Sequence, residues 1–112
     1  MLKEYGEVLT EHIGFGNVFQ HEEEMTDAFI YNQDINWLLE SDIVIAEVTQ
    51  PSLGVGYELA FAEAKGKRTV CLFNAGSDKT LSAMVRGNAY FEVFDYTTLE
   101  DIEDIFKQIF TT

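Results

Sequence analysis

Two hydrophobic rhythms alternate along this chain. Four short apolar runs, "EVLT" (7–10), "DIVIAEV" (42–48), "RTVCLF" (68–73) and "YFEVF" (90–94), have the length and the β-branched or aromatic content of strands. Between and after them the spacing becomes helical. From Asp27 to Glu40, the residues Ala28, Tyr31, Ile35, Leu38 and Leu39 fall on one stripe, and Thr26 is a suitable N-cap. A second helix is expected from about Gly54 to Lys65, ending at Gly66. A short one covers "TLSAMVR" and ends at Gly87. The last begins near Thr98 and carries Leu99, Ile102, Ile105, Phe106 and Ile109. Strands that alternate with helices predict an α/β domain with a doubly wound, mostly parallel sheet, flavodoxin- or Rossmann-like. "DIVIAEV", apolar on both faces, suits a central strand covered by helices. One domain over 1–112 accommodates all of this. The opening "MLKEYG" reads as the last turns of a helix, with no strand before it, where such a fold ordinarily begins with one.

Composition changes the picture in two respects. Twenty acidic residues against seven basic ones give a net charge of −13. Such a surface repels polyanions, which argues against a nucleic-acid partner. A small anion is still admissible, because backbone N–H groups at a helix N-terminus hold phosphate without Lys or Arg. The one cysteine, Cys71, lies within a strand-like run, excludes an intramolecular disulfide and suits a reducing compartment. No signal-peptide core and no run of roughly 20 apolar residues is present, so the expectation is a cytoplasmic protein without a membrane partner.

The candidate chemistry gathers after "DIVIAEV". In α/β sheets ligands bind beyond the carboxyl ends of the strands, at a switch point in strand order. The turn there, Pro51-Ser52-Leu53-Gly54-Val55-Gly56, leads into a helix and places Glu58 in its first turn or so. The helix dipole favours an ionised carboxylate at that position, where it can act as nucleophile or base. The same residue reads equally well as a glutamate favourably placed at a helix start. Asp34, at the edge of its helix's apolar stripe, can serve as a proton donor, although most boundary carboxylates are simply solvated. Ser52, Gly54 and Gly56 make a modest phosphate-binding signal. The turn lacks the Lys-Ser/Thr ending of a P-loop and the third glycine of the dinucleotide fingerprint, and a tight connection with no ligand is common. His12, His21 and Glu22 to Glu24 have no ligand spacing, so no metal is expected. Neither histidine has a partner that the sequence can place, which excludes a Ser-His-Asp triad.

Taken together, "GEVLTEH", "NQDINWLLESDIVIAEVTQPSLGVGYELAFA", "KRTVCLF" and "LSAMVRG" resemble the 2′-deoxynucleoside 5′-monophosphate N-hydrolases of the nucleoside 2-deoxyribosyltransferase superfamily. The likeness runs from about Gly6 to Tyr96. It implies Glu58 as the nucleophile at the anomeric carbon and Asp34 as its partner in proton transfer to the departing base. It implies that Ser52 and the Gly54 backbone help hold the 5′-phosphate. Ser82 to Met84 would reach the site of a neighbouring subunit, which implies a homodimer with a shared site. The substrate is then a deoxynucleoside 5′-monophosphate, and no cofactor is called for. The related transferases carry an aspartate six residues before the nucleophile. Ser52 stands there in this chain, and a neutral hydroxyl tolerates a phosphate dianion that a carboxylate would repel. The family's first strand, central in its sheet, and its glycine-rich "GSIRGG"-like loop have no counterpart in this sequence. That departure predicts weak nucleotide binding by the 112-residue form, and it keeps open a non-catalytic nucleotide-binding or dimerisation module. A nucleoside 2-deoxyribosyltransferase is a further alternative. So is a phosphoribohydrolase of cytokinin-activating type, which fits the flanking residues less well.

Overall fold

The computed structural model describes residues 8–11 and 26–111. In chain order the elements are β1 (Val8–Glu11), α1 (Asp27–Glu40), β2 (Ile43–Glu47), α2 (Leu53–Ala64), β3 (Arg68–Asn74), α3 (Ala83–Arg86), β4 (Glu92–Tyr96) and α4 (Leu99–Phe110). The strands form one sheet in the order β1-β2-β3-β4, every neighbouring pair parallel. β1 pairs directly with β2, Val8 opposite Ile43 and Glu11 opposite Ala46, so the described sheet contains no gap where a central strand was expected. The strand order likewise shows no reversal among the described strands.

Period-two alternation divides the interior strands between two cores. Val44, Ala46, Cys71 and Phe73 point to one face, where Leu38 of α1 and Val55, Leu59 and Ala62 of α2 cover them. Ile43, Ile45, Val70 and Leu72 point to the other, against Ile105 and Ile109 of α4. Both faces are covered, as the two-sided apolar runs require. Full burial of each such side chain contributes about 1.5–3 kcal/mol.

The helix boundaries follow local chemistry. Thr26 Oγ1 accepts the Phe29 N–H at 3.1 Å and starts α1. Ser52 starts α2 in the same way, accepting from Val55 N at 3.3 Å, and α2 stops before Gly66, whose φ of +71° suits glycine. At α4, Thr98 and Asp101 form a reciprocal capping box. β4 begins two residues later than the apolar run suggests. Tyr90 and Phe91 belong to a turn folded back on Asn88, with Tyr90 Oη donating to the Lys67 carbonyl at 2.6 Å and Phe91 buried beneath the sheet edge. Those aromatics anchor the approach to the strand instead of joining its ladder.

Only part of the apolar stripe of α1 is buried. Leu38 is enclosed, Ile35 half-buried, and Ala28, Tyr31 and Leu39 exposed. On α2 the Val55–Leu59–Ala62 face lies on the sheet, while Tyr57 and Ala64 face outward and Phe61 is half-buried. Among the described residues no helix is long and apolar enough to cross a membrane. "MLKEYG", His12, His21 and Glu22 to Glu24 lie outside the described residues.

Candidate active site

α1 and α2 pack on the same face of the sheet, and the groove between them brings the two predicted carboxylates together. Asp34 and Glu58 line one cavity of about 270 Å³, with Tyr31, Ile35, Gly54 and Tyr57 completing its wall. Glu58 is buried, at 7% exposure, and Asp34 is half-buried. Helical geometry explains the grouping. Tyr31, Asp34 and Ile35 are neighbours on one side of α1, and Gly54, Tyr57 and Glu58 recur at three and four residues on α2. Glu58 is the sixth residue of its helix, one residue deeper than the sequence suggests and so in the second turn, because α2 already begins at Leu53. The dipole acts mainly within the first turn, so burial beside the cavity dominates the surroundings of this carboxylate.

Two tyrosines that the sequence did not single out stand at the rim. Their hydroxyls lie 3.3 Å apart, and their rings meet edge to face with centroids separated by 6.1 Å. The hydrogen bond with Tyr31, and next the charge Tyr31 can carry, raise the Tyr57 phenol above its ordinary range. Both rings remain about half exposed. The signal was available: Tyr31 precedes Asp34 by three residues and Tyr57 adjoins Glu58, which puts each phenol beside a carboxylate.

The residues expected to hold substrate divide across α2. Gly54 borders the carboxylate cavity. Ser52, Ser82 and Met84 line a separate groove of about 590 Å³ on the other side of the helix, floored by Val48, Val55, Leu59 and Phe91. Within one chain, Ser82 and Met84 therefore do not share a cavity with Glu58. Each serine is also a helix cap, Ser82 Oγ accepting from Met84 N at 3.2 Å. Leu53 and Met84, at 96% and 82% exposure, are bared at the groove's mouth. Cys71 is buried, and burial pushes its thiol up to about 12, the inert state expected of a core cysteine. Among the described residues no cluster of three or more His, Cys, Asp or Glu is placed to hold a metal ion.

Two carboxyl groups from different helices thus line one small cavity, one of them buried, and a pair of carboxyl groups is what enzymatic cleavage of glycosidic bonds ordinarily uses. Comparison with known proteins points the same way. Residues 1–97 match the family described as nucleoside 2-deoxyribosyltransferase. A protein of Esox lucius named 5-hydroxymethyl-dUMP N-hydrolase is 48% identical over 115 residues, which cover 97% of this chain and 79% of that one. Its namesake in Danio rerio is 46% identical over 115 residues, covering 99% and 80%. The human protein of the same name is 50% identical over 100 residues, covering 85% of this chain and 58% of its own length. Among solved structures, the CMP N-glycosidase of Clostridium botulinum superposes with a TM-score of 0.68 at 16% identity, covering 91% of this chain and 98% of that one, a likeness of fold.

Proposed function

The chain belongs to the nucleoside 2-deoxyribosyltransferase family, and on that premise we propose that it hydrolyses the N-glycosidic bond of 2′-deoxynucleoside 5′-monophosphates. The observation that carries this is the single cavity shared by Glu58 and Asp34, which lie 24 residues apart on different helices. Relatives named for hydrolysis of 5-hydroxymethyl-dUMP support the substrate class and make that nucleotide the first to test.

In this mechanism the Glu58 carboxylate attacks the anomeric carbon as the bond to the base nitrogen breaks. The electron pair leaves with the base, which takes its proton from the Asp34 carboxyl. The positive charge that develops on the sugar is stabilised by the buried carboxylate, which then holds the sugar as an ester. Water attacks the same carbon and gives a proton to Asp34. The ester C–O bond breaks, releasing 2-deoxyribose 5-phosphate and restoring Glu58.

A cavity of about 270 Å³ lies at the small end for ligand sites, so it accommodates the reacting sugar and base edge while the phosphate stays outside. The start of α2 is the nearest suitable place for that phosphate. Among the described residues, a Cβ on Gly54 would meet only Ser52 Oγ at 3.8 Å, and one on Gly56 would meet nothing within 4 Å. Packing against the described residues therefore does not require either glycine, and both suit close approach of a ligand to the backbone.

The same proposal includes a homodimer in which Ser82 and Met84 reach the partner's cavity. Its support is the bared Leu53 and Met84 beside the apolar groove, together with exposed Phe29, Tyr31 and Leu39 on α1. The test is chromatographic release of base from 5-hydroxymethyl-dUMP and the ordinary deoxynucleotides, with light scattering on the same sample. Release of free base by a dimer is expected. Absence of release, or release by a monomer at micromolar concentration, would refute the corresponding part.

A further inference from the structure

Glu47 ends β2 with a half-buried carboxylate that the proposed chemistry does not use. Its Oε1 accepts the Thr49 N–H at 2.9 Å, and its Oε2 accepts the Thr49 hydroxyl at 2.6 Å and the Tyr96 hydroxyl at 2.5 Å. Thr49 Oγ1 in turn accepts the Asn74 N–H at 2.8 Å. The carboxyl ends of β2 and β3 therefore meet at Thr49, in the loop that leads into α2, and that of β4 joins them through Glu47. Val48 N donates to the Leu72 carbonyl at 2.9 Å and adds a further tie at the same place.

We propose that Glu47, Thr49 and Tyr96 are positioning residues, a clamp that fixes the loop from 48 to 52 and so sets where α2 begins. The linkage to the site is short and stiff. Only Gln50, Pro51 and Ser52 separate Thr49 from Leu53, and Pro51 has its φ fixed by its ring. Ser52 then caps α2, and Glu58 follows in its second turn. Movement of Thr49 therefore moves Gly54 and Glu58 together, and catalytic geometry is sensitive to displacements of about 1 Å. Three donors on one carboxylate exceed what closing a loop requires, and bonds to a charged acceptor are the strong ones. Burial, then the bond to Glu47, push the Tyr96 phenol up to about 12, so it remains a donor throughout the range in which the protein is studied.

The effect on catalysis rests on the hydrolase assignment above; the effect on the loop does not. The experiment compares Thr49→Val, which removes the hydroxyl, with Thr49→Ser, which keeps it, and with Tyr96→Phe. Hydrogen–deuterium exchange and steady-state base release are measured on each. Loss of bonds to a charged group corresponds to a change of about tenfold or more. Thr49→Val is expected to speed amide exchange over residues 49–56 by at least that factor, with α4 unchanged, and to lower kcat by a similar factor. Thr49→Ser is expected to stay within about threefold of the parent chain, the residual hydroxyl keeping its bonds. Tyr96→Phe, which deletes the phenol's bond to Glu47 but leaves Thr49 its hydroxyl, should fall between them and serves if Thr49→Val does not fold. Unchanged exchange over 49–56, or a rise spread evenly over the sheet, would overturn the clamp. A parent chain that releases no base would refute the hydrolase assignment alone, and the exchange comparison would still decide the clamp.

Discussion

Replacing Glu58 with glutamine separates chemistry from stability by sign. The substitution keeps the side-chain volume and removes a negative charge from a residue only 7% exposed. If the carboxylate is the nucleophile, its loss removes several kcal/mol of transition-state stabilisation. At 1.36 kcal/mol per decade, about 4 kcal/mol is a 10³-fold fall in rate. The folded state should respond in the opposite direction or not at all. This chain already carries −13 and glutamine keeps a hydrogen-bonding oxygen at the same place, so neutralising Glu58 is expected to contribute about 0–1 kcal/mol of stability. For a domain of this size that corresponds to a melting temperature unchanged or raised by up to roughly 4–8 °C. The assay is base release from 5-hydroxymethyl-dUMP, with thermal unfolding of the same preparation followed by circular dichroism. A variant that retains near-parent release refutes the nucleophile. A variant that loses activity but also melts several degrees lower shows that the carboxylate mainly holds the fold.

Two further outcomes test the frame around the site. A Cβ on Gly87 would lie 2.8 Å from the Ala83 carbonyl oxygen, so Gly87→Ala should destabilise the Ser82–Met84 turn by about 1–3 kcal/mol, read as a lowered denaturation midpoint. The Asp101 carboxyl is held below its ordinary value by N–H and hydroxyl donation from Thr97 and by the Thr98 N–H. A depressed folded-state value means that its contribution is complete above the unfolded value of 3.8 and is lost as pH falls through the lower folded one. Asp101→Asn should therefore reduce stability at pH 6 and flatten its decline below pH 4, measured by urea denaturation across that range.

Much of the fold was legible because strand and helix periods differ and the punctuation is strong. Thr26, Gly66, Gly87 and Thr98 mark helix ends where the structure has them. The pairing of Asp34 with Glu58 came from resemblance, since local pattern places each carboxylate on its own helix and says nothing about which helices adjoin. Resemblance placed Ser52 at the phosphate and Ser82 and Met84 at a neighbouring subunit's site; within one chain all three line the groove across α2 from Glu58. Tyr31 was assigned to a buried stripe but stands half exposed, because α1 meets the sheet mainly through Leu38. The Glu47 clamp was beyond reach of pattern altogether. It joins residues 47, 49, 74 and 96, which meet only once three parallel strands are in register.

The departures from local preference concentrate on α2. Within six residues the helix holds Gly54, Gly56 and the buried Glu58, although glycine in a helix costs about 0.5–1 kcal/mol relative to alanine and a buried carboxylate costs more. Neither glycine has positive φ, and among the described residues neither has a neighbour that alanine would strike. A helix selected for stability alone would carry alanine at both positions and an apolar residue at 58. The two glycines border different sides of α2, Gly54 the carboxylate cavity and Gly56 the apolar groove. Accumulated local cost on one short element beside two concavities supports the site proposed on α2. Stability comes from the apolar strands, from α4 and from the Val55–Leu59–Ala62 face of α2 itself. In the proposed hydrolase that face anchors α2 to the sheet, while its other sides present bare backbone and a buried carboxylate to a ligand.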